Sequence, residues 1–141
     1  MTFDVSDLAR SDVVTVESTA SLDEVARLMR ERNVGCVVVE EGGRMAGIVT
    51  DRDLAVRGFD TDDPRRATAA DVMTANPATV DGDAGVLELT ATMQTEGVRR
   101  MPVVDEAGEL AGIVTQDDVA QLLVEEASAL AGVLEEESPP G

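Results

Sequence analysis

Ala46–Thr50 and Ala111–Thr115 carry the same five residues, AGIVT, 65 positions apart, and each opens a longer match: GIVTDRD at Gly47–Asp53 and GIVTQDD at Gly112–Asp118. A fixed offset of this kind marks a chain built from two copies of one supersecondary unit, so the surroundings decide how far the unit extends. Upstream, DEVARLM ending at Met29 corresponds to LELTATM ending at Met93, 64 positions apart. The offset therefore changes by one residue between Met29 and Ala46, most simply in the turn around Glu40–Gly43.

Each unit reads as strand, helix, strand, strand, helix. In the first, Val13–Val16 is a short β-branched stretch, Ser21 and Glu24 have the spacing of a capping box, and Leu22, Val25, Ala26 and Met29 fall on one helical face that Asn33 should end. Val34–Val39 is a nearly continuous apolar run, as in a strand covered on both faces, and Glu41, Gly42 and Gly43 supply the turn into Arg44–Thr50. In the second unit Ala78–Val80 is the opening strand, Val86, Leu89 and Met93 form the helical face, and Arg99–Val104 and Glu109–Thr115 are strands joined by a turn at Glu106–Gly108. The fold class expected is α/β (α+β): repeats at 6–57 and 71–134, joined by a polar Gly- and Pro-bearing linker at 58–70. From Gln116 to about Glu136 a long helix places Val119, Leu123, Ala127, Leu130 and Leu134 at helical spacing. At 1.5 Å per residue its length is roughly 30 Å, more than one small layer needs, so its excess is expected to pack on a second subunit. The acidic end, 135–141, reads as a disordered tail.

Composition narrows the function. With 141 residues there is room for two half-domains sharing a core and none for a separate catalytic domain. Aromatics are 1%, so the interior must be Val, Leu, Ile, Ala and Met, and without Trp or Tyr there is no stacking platform for single-stranded nucleic acid. All eleven basic residues are Arg, against 29 acidic ones, for a net charge of −18. That field repels nucleic acid and anionic lipid. An acidic surface free of Lys resembles proteins of salt-loving archaea, whose saline cytoplasm screens self-repulsion, and a haloarchaeal source is the expectation. Cys36 is the sole cysteine, which excludes an intramolecular disulfide; MTFDVSDLAR lacks the features of a signal peptide and no apolar run reaches the length of a membrane span, so the expected location is cytoplasmic.

With these residues in view, the chain resembles a pair of cystathionine-β-synthase-type (CBS) repeats, a Bateman module. The final strand ending in Gly-apolar-apolar-Thr-x-x-Asp occurs in both units, and DVMTANPATV (Asp71–Val80) and GVRRMPVVDEAGELAGIVT (Gly97–Thr115) follow the family's pattern closely. The similarity runs from about residue 6 to residue 125 and extends to stand-alone two-repeat CBS proteins. It implies two repeats docked through their sheets with pseudo-twofold symmetry, two clefts between them, and an adenosine-containing ligand such as AMP, ADP, ATP, S-adenosylmethionine or NAD. Magnesium would enter with a nucleotide's phosphates, and no covalent cofactor is implied.

Carried over residue by residue, Asp53 and Asp118 would accept from ribose hydroxyls, and Thr50 and Thr115 would donate to phosphate or ribose oxygen. A helix N-terminus at each junction also favours an anion. The competing reading is helix capping, which the same residue types commonly perform and which can coexist with binding. Arg99 and Arg100 stand where CBS repeats often place phosphate-binding cations; adjacent strand residues point to opposite faces, so one is expected in the cleft and the other out of it. Repeat one has Gly35 and Cys36 there, and Val38 in place of Pro102, so Arg52 is its candidate cation and the two sites are expected to differ. Thr15 and Val37, and Thr79 and Met101, are the expected adenine walls.

Catalysis has little to work with. The chain has no His, and Cys36 in an apolar strand is expected to be inert because burial disfavours the thiolate. Asp60, Asp62 and Asp63 cluster in the linker without the spacing of a calcium loop and read as solvated. Two classes remain: a sensor whose ligand shifts the docking of the repeats for an effector protein to read, and a ligand-free dimerising scaffold. A homodimer is expected in either case.

Overall fold

The structure is a computed structural model that describes residues 3–137. A short helix α1 (Val5–Leu8) precedes β1 (Thr15–Glu17), α2 (Leu22–Arg32), β2 (Cys36–Glu41), β3 (Arg44–Thr50) and α3 (Asp51–Arg57). The second half repeats the order with α4 (Ala69–Val72), β4 (Thr74–Ala75), β5 (Val80–Asp81), α5 (Val86–Glu96), β6 (Arg100–Val104), β7 (Leu110–Thr115) and α6 (Gln116–Glu137). The result is a mixed α/β architecture of two β-α-β-β-α units.

Capping and turn chemistry set the local boundaries. Ser21 Oγ accepts the Glu24 amide at 3.1 Å, half of the expected capping box, and Asn33 ends α2 in the left-handed region (φ 53°). The β2–β3 hairpin closes on Gly42 and Gly43, both at positive φ (61° and 78°), a tight turn that side-chain-bearing residues resist. The β6–β7 turn is longer: Asp105 Oδ1 accepts the amides of Ala107 and Glu109 at 2.9 and 3.0 Å. The extra residue there turns the 64-residue offset into 65.

Two sheets form, β1-β2-β3-β4 and β5-β6-β7, each with a parallel outer pair and an antiparallel hairpin. Strand alternation sorts their faces. Val37 and Val39 face α2 in the first core, and Met101 and Val103 pack with Leu89, Met93 and Val119 in the second. Val38, Ile48 and Pro102 are buried but belong to neither core; Val38 pairs with Ile48, and Pro102 with Ile113, on the faces through which the sheets dock. Each fully buried valine here contributes about 1.5–3 kcal/mol relative to exposure.

The halves exchange their leading segments. Val5 of α1 lies in the second core, and Arg10 bridges to Ile113 on β7. Ala69 and Val72 of α4 lie in the first core, and β4 extends the first sheet beside β3. The expected division at 58–70 and 71–134 therefore cuts through packing, because Ala67 and Ala69 at the end of the supposed linker are buried. Two helical faces also differ from expectation. Ala26 is exposed on α2, and on α6 burial follows Val119 and Leu122, leaving Leu123, Val124 and Leu130 about 60% exposed. The helix continues through Glu135–Glu137, part of the expected tail; 138–141 lie outside the described residues.

Candidate functional site

β3 runs directly into α3 and β7 into α6, and the same pair of hydrogen bonds closes both junctions. The Thr50 amide donates to Asp53 Oδ2 at 2.9 Å and the Asp53 amide donates to Thr50 Oγ1 at 3.1 Å; Thr115 and Asp118 repeat this at 2.9 and 3.2 Å. Capping is thus real, and it leaves chemistry over. Each Thr hydroxyl has accepted a bond and retains its own proton to donate, and each Asp retains Oδ1 as an acceptor. The helix N-terminus itself is occupied: the amides of Asp51, Arg52 and Asp53 donate to Gly35 O, Asp51 Oδ1 and Thr50 Oγ1. An anion beside α3 must be held by side chains.

Two cavities open at these junctions. One of about 520 Å³ brings together Thr50, Arg52, Asp53, Pro77, Ala78, Arg99 and Arg100. The other, about 290 Å³, brings together Thr115, Asp118, Val13, Val14, Gly35, Cys36 and Arg100. They are copies of each other under the repeat. Arg10, Val13 and Val14 correspond to Thr74, Pro77 and Ala78, and Arg32, Gly35 and Cys36 to Glu96, Arg99 and Arg100, all at 64 residues. Each cleft takes its Thr–Asp pair from one repeat and its walls from the other.

That crossing corrects several expectations. Arg99 and Arg100 join the Thr50–Asp53 cleft and Cys36 the Thr115–Asp118 cleft, so neither site is built from one repeat's own residues. Both arginines line one cleft because Arg99 precedes β6 and escapes strand alternation. Thr15, Val37, Thr79, Met101 and Pro102 line neither cavity. Val37 and Met101 are turned by alternation into the helix-facing cores, Pro102 is in the sheet contact, and Thr15 and Thr79 are exposed. The apolar walls are instead Val13, Val14, Pro77 and Ala78. Arg10 and Arg32 carried no motif, and only the offset applied to the second cleft would have found them.

Charge is distributed unevenly. Five of the eleven arginines line the two clefts, Arg100 lining both, and each cleft has three Arg against three acidic side chains while the chain carries −18. None of the five has a carboxylate within 4.0 Å among the described residues, where the ion pairs are Arg57–Asp53 and Arg66–Asp63. Burial pushes the Cys36 thiol up from its ordinary range, with Arg100 beside it pulling partly the other way. A third concavity of about 530 Å³ is lined by Asp81, Asp83, Asp105 and Glu106 with no Arg, which disfavours an anionic ligand there. Among the described residues no group of three or more His, Cys, Asp or Glu side chains forms a metal site, and Asp63 of the linker pairs with Arg66 at 3.6 Å.

The family model for the CBS domain matches residues 5–58 and again 69–125. The chain belongs to the CBS-domain family. The uncharacterized protein MK0525 of Methanopyrus kandleri is 39% identical to this CBS pair over 120 residues, 84% of this chain; the chain spans 61% of that relative's length. Among solved structures, Hypoxic Response Protein I with two coordinated zinc ions matches at TM-score 0.73 and 32% identity, covering 84% of this chain and 97% of that one. The CBS domain pair of MJ0100, in complex with 5-methylthioadenosine and S-adenosyl-L-methionine, matches at TM-score 0.79 and 26% identity over 89% and 99%. CBSX2 in complex with AMP matches at 0.77 and 25% over 89% and 98%. The expectation of a haloarchaeal source gains no support from these relatives. Among the described residues no helix is long and apolar enough to cross a membrane.

Proposed function

We propose that this CBS pair is a non-catalytic, cytoplasmic regulatory module that binds an adenosine-containing ligand in its two clefts and signals to an effector protein through altered docking of the repeats. The observation that carries the reading is the coincidence, at both junctions, of a Thr hydroxyl proton left to donate, an Asp Oδ1 that accepts no hydrogen bond, an apolar wall and, among the described residues, lining arginines without a carboxylate within 4.0 Å; Asp53 Oδ1 has only Arg57 Nε near it, at 4.0 Å. Adenine suits the space between Val13 and Val14, or Pro77 and Ala78, and the opposing strand; ribose hydroxyls suit the Asp oxygen; phosphates suit the arginines. The AMP and S-adenosylmethionine complexes of CBSX2 and MJ0100 support the ligand class. Magnesium would arrive on a nucleotide's phosphates. The zinc of Hypoxic Response Protein I is not carried over to this chain, which has no His and one Cys and, among the described residues, no group of three or more His, Cys, Asp or Glu side chains placed to hold a metal ion.

Calorimetric titration of the chain with adenosine, AMP, ATP, NAD and S-adenosylmethionine tests the reading. Heat and a rise in melting temperature with at least one of them are expected; silence with all five sinks it.

The scaffold reading has one observation in its favour. Ala120, Leu123, Val124, Ala127, Leu130 and Ala131 form an exposed stripe on α6 without a charged residue. A second copy of the chain, its α6 laid against this one, would bury the stripe while Glu125 stays in water. Light scattering should give a dimer mass for the wild type and a monomer mass for the Leu123→Glu, Leu130→Glu double variant. A wild-type monomer removes the scaffold.

A further inference from the structure

Arg100 is the one residue, among those described, that lines both clefts. It begins β6 opposite Thr115, yet its guanidinium reaches across to the other repeat. A Cβ at Gly35 would stand 2.8, 3.2 and 3.4 Å from its Nη1, Nη2 and Cζ, so the head group lies on the bare backbone of residue 35, and any side chain there would displace it. It is half-buried and, among the described residues, has no carboxylate within 4.0 Å, although acidic residues outnumber basic ones 29 to 11. A partly desolvated cation without a counter-ion in contact is held ready for an anion.

We propose that Arg100 is a single phosphate receptor shared by the two clefts, so that a phosphorylated ligand in one withdraws the guanidinium from the other. This rests on the adenosyl-ligand reading above. The clefts then couple negatively for AMP, because two phosphates compete for a single positive charge and repel each other across it, and remain independent for adenosine, which carries no phosphate. Gly35 is the permissive position. Without a Cβ it lets the head group rest toward the Thr115–Asp118 cleft, and Gly35→Ala forces it toward the Thr50–Asp53 cleft.

The test is calorimetric titration of AMP and adenosine into the full chain, into two variants that each keep one cleft (Asp53→Asn and Asp118→Asn), and into each of these combined with Arg100→Gln. In both single-cleft variants Arg100→Gln should weaken AMP at least about fivefold and leave adenosine unchanged, which also shows that the variant is folded. The intact chain should bind its second AMP at least about fivefold more weakly than the single-cleft variant binds it at the same cleft. Gly35→Ala should tighten AMP at the Thr50–Asp53 cleft and weaken it at the other. Loss of AMP affinity from Arg100→Gln in only one single-cleft variant, or intact-chain affinities equal to the single-cleft values, overturns the shared receptor while the adenosyl reading stands. If adenosine and AMP bind no form of the chain, the shared receptor is overturned, and the adenosyl reading falls with it when ATP, NAD and S-adenosylmethionine are silent as well.

Discussion

Asp53→Asn separates the two jobs that one carboxylate does. Asn keeps a side-chain carbonyl where Asp53 Oδ2 accepts the Thr50 amide at 2.9 Å, so the cap survives, but an amide group replaces Oδ1, the acceptor proposed for ribose. The Asp53 side chain is 16% exposed, so this is a partly desolvated, charge-assisted bond, worth about 1.5–3 kcal/mol. At 1.4 kcal/mol per decade the loss is roughly 10- to 150-fold in affinity. The fold should notice less. Removing a negative charge from the first turn of α3 costs about 0.3–1 kcal/mol, a fall in Tm of about 1–4 °C at this chain length. Arg57, 4.0 Å from Asp53 Oδ1, stays anchored through its bond to Met73 O at 2.8 Å. Adenosine is the ligand to titrate, because it reports the ribose contact without any phosphate contact beside it. One of two adenosine-binding steps should drop out of the calorimetric trace while the other is unchanged. If both steps persist at wild-type strength while Tm falls, Asp53 is a helix cap and nothing more, and the ribose assignment is refuted.

Met101→Ala should destabilise the chain by about 2–5 kcal/mol in urea denaturation, because Met101 is fully buried in the second core, yet change adenosine affinity by less than about twofold; a loss of affinity without a loss of stability would restore Met101 to the cleft. Cys36 makes stability depend on alkaline pH. Burial raises its pKa above the ordinary 9.0, so the folded chain keeps a proton that the unfolded chain releases, and the stability this confers is whole below pH 9 and lost as pH climbs beyond it. Above pH 9 the Tm of the wild type should fall more steeply than that of Cys36→Ala, and parallel slopes would refute the assignment. AMP affinity should rise as salt goes from about 0.01 to 0.1 M, while the Debye length shortens from about 30 to 10 Å, and adenosine affinity should stay flat; AMP binding that weakens from the lowest salt upward would show that the arginine contacts, and not the field of the whole chain, control the response.

The fold was legible because repetition doubles every signal. One GIVT-x-x-D is a short string, but two at a constant offset, each preceded by the same helical pattern, tie helix to hairpin to helix. The exchange of α1 and α4 between the halves was not legible. Val5 and Val72 look alike in sequence, and the core each one fills is decided by the docking of the sheets. The same crossing hid the composition of the clefts: the sequence pairs Thr50 with Val37 because they are near in the chain, whereas the structure pairs Thr50 with Pro77 and Arg99 across the interface. Met101 and Val37 failed as walls for a simpler reason. On a strand the neighbour of a cleft residue faces away, so Arg100 and Cys36 could line a cleft only if Met101 and Val37 did not.

The chain carries −18 while each cleft balances three Arg against three acidic side chains, and that difference bears on the proposed ligand. A surface at −18 excludes anions from its neighbourhood, so a phosphate-binding site on such a protein must overcome the long-range field with groups in contact. Among the described residues the five arginines that line the clefts have no carboxylate within 4.0 Å, and the arginines that do are Arg57, with Asp53, and Arg66, with Asp63. In the proposed function, clustering without pairing leaves the hydrogen-bond donors of the cleft arginines free at close range, where screening is weakest, so a phosphorylated ligand is expected to bind more tightly than the neutral nucleoside.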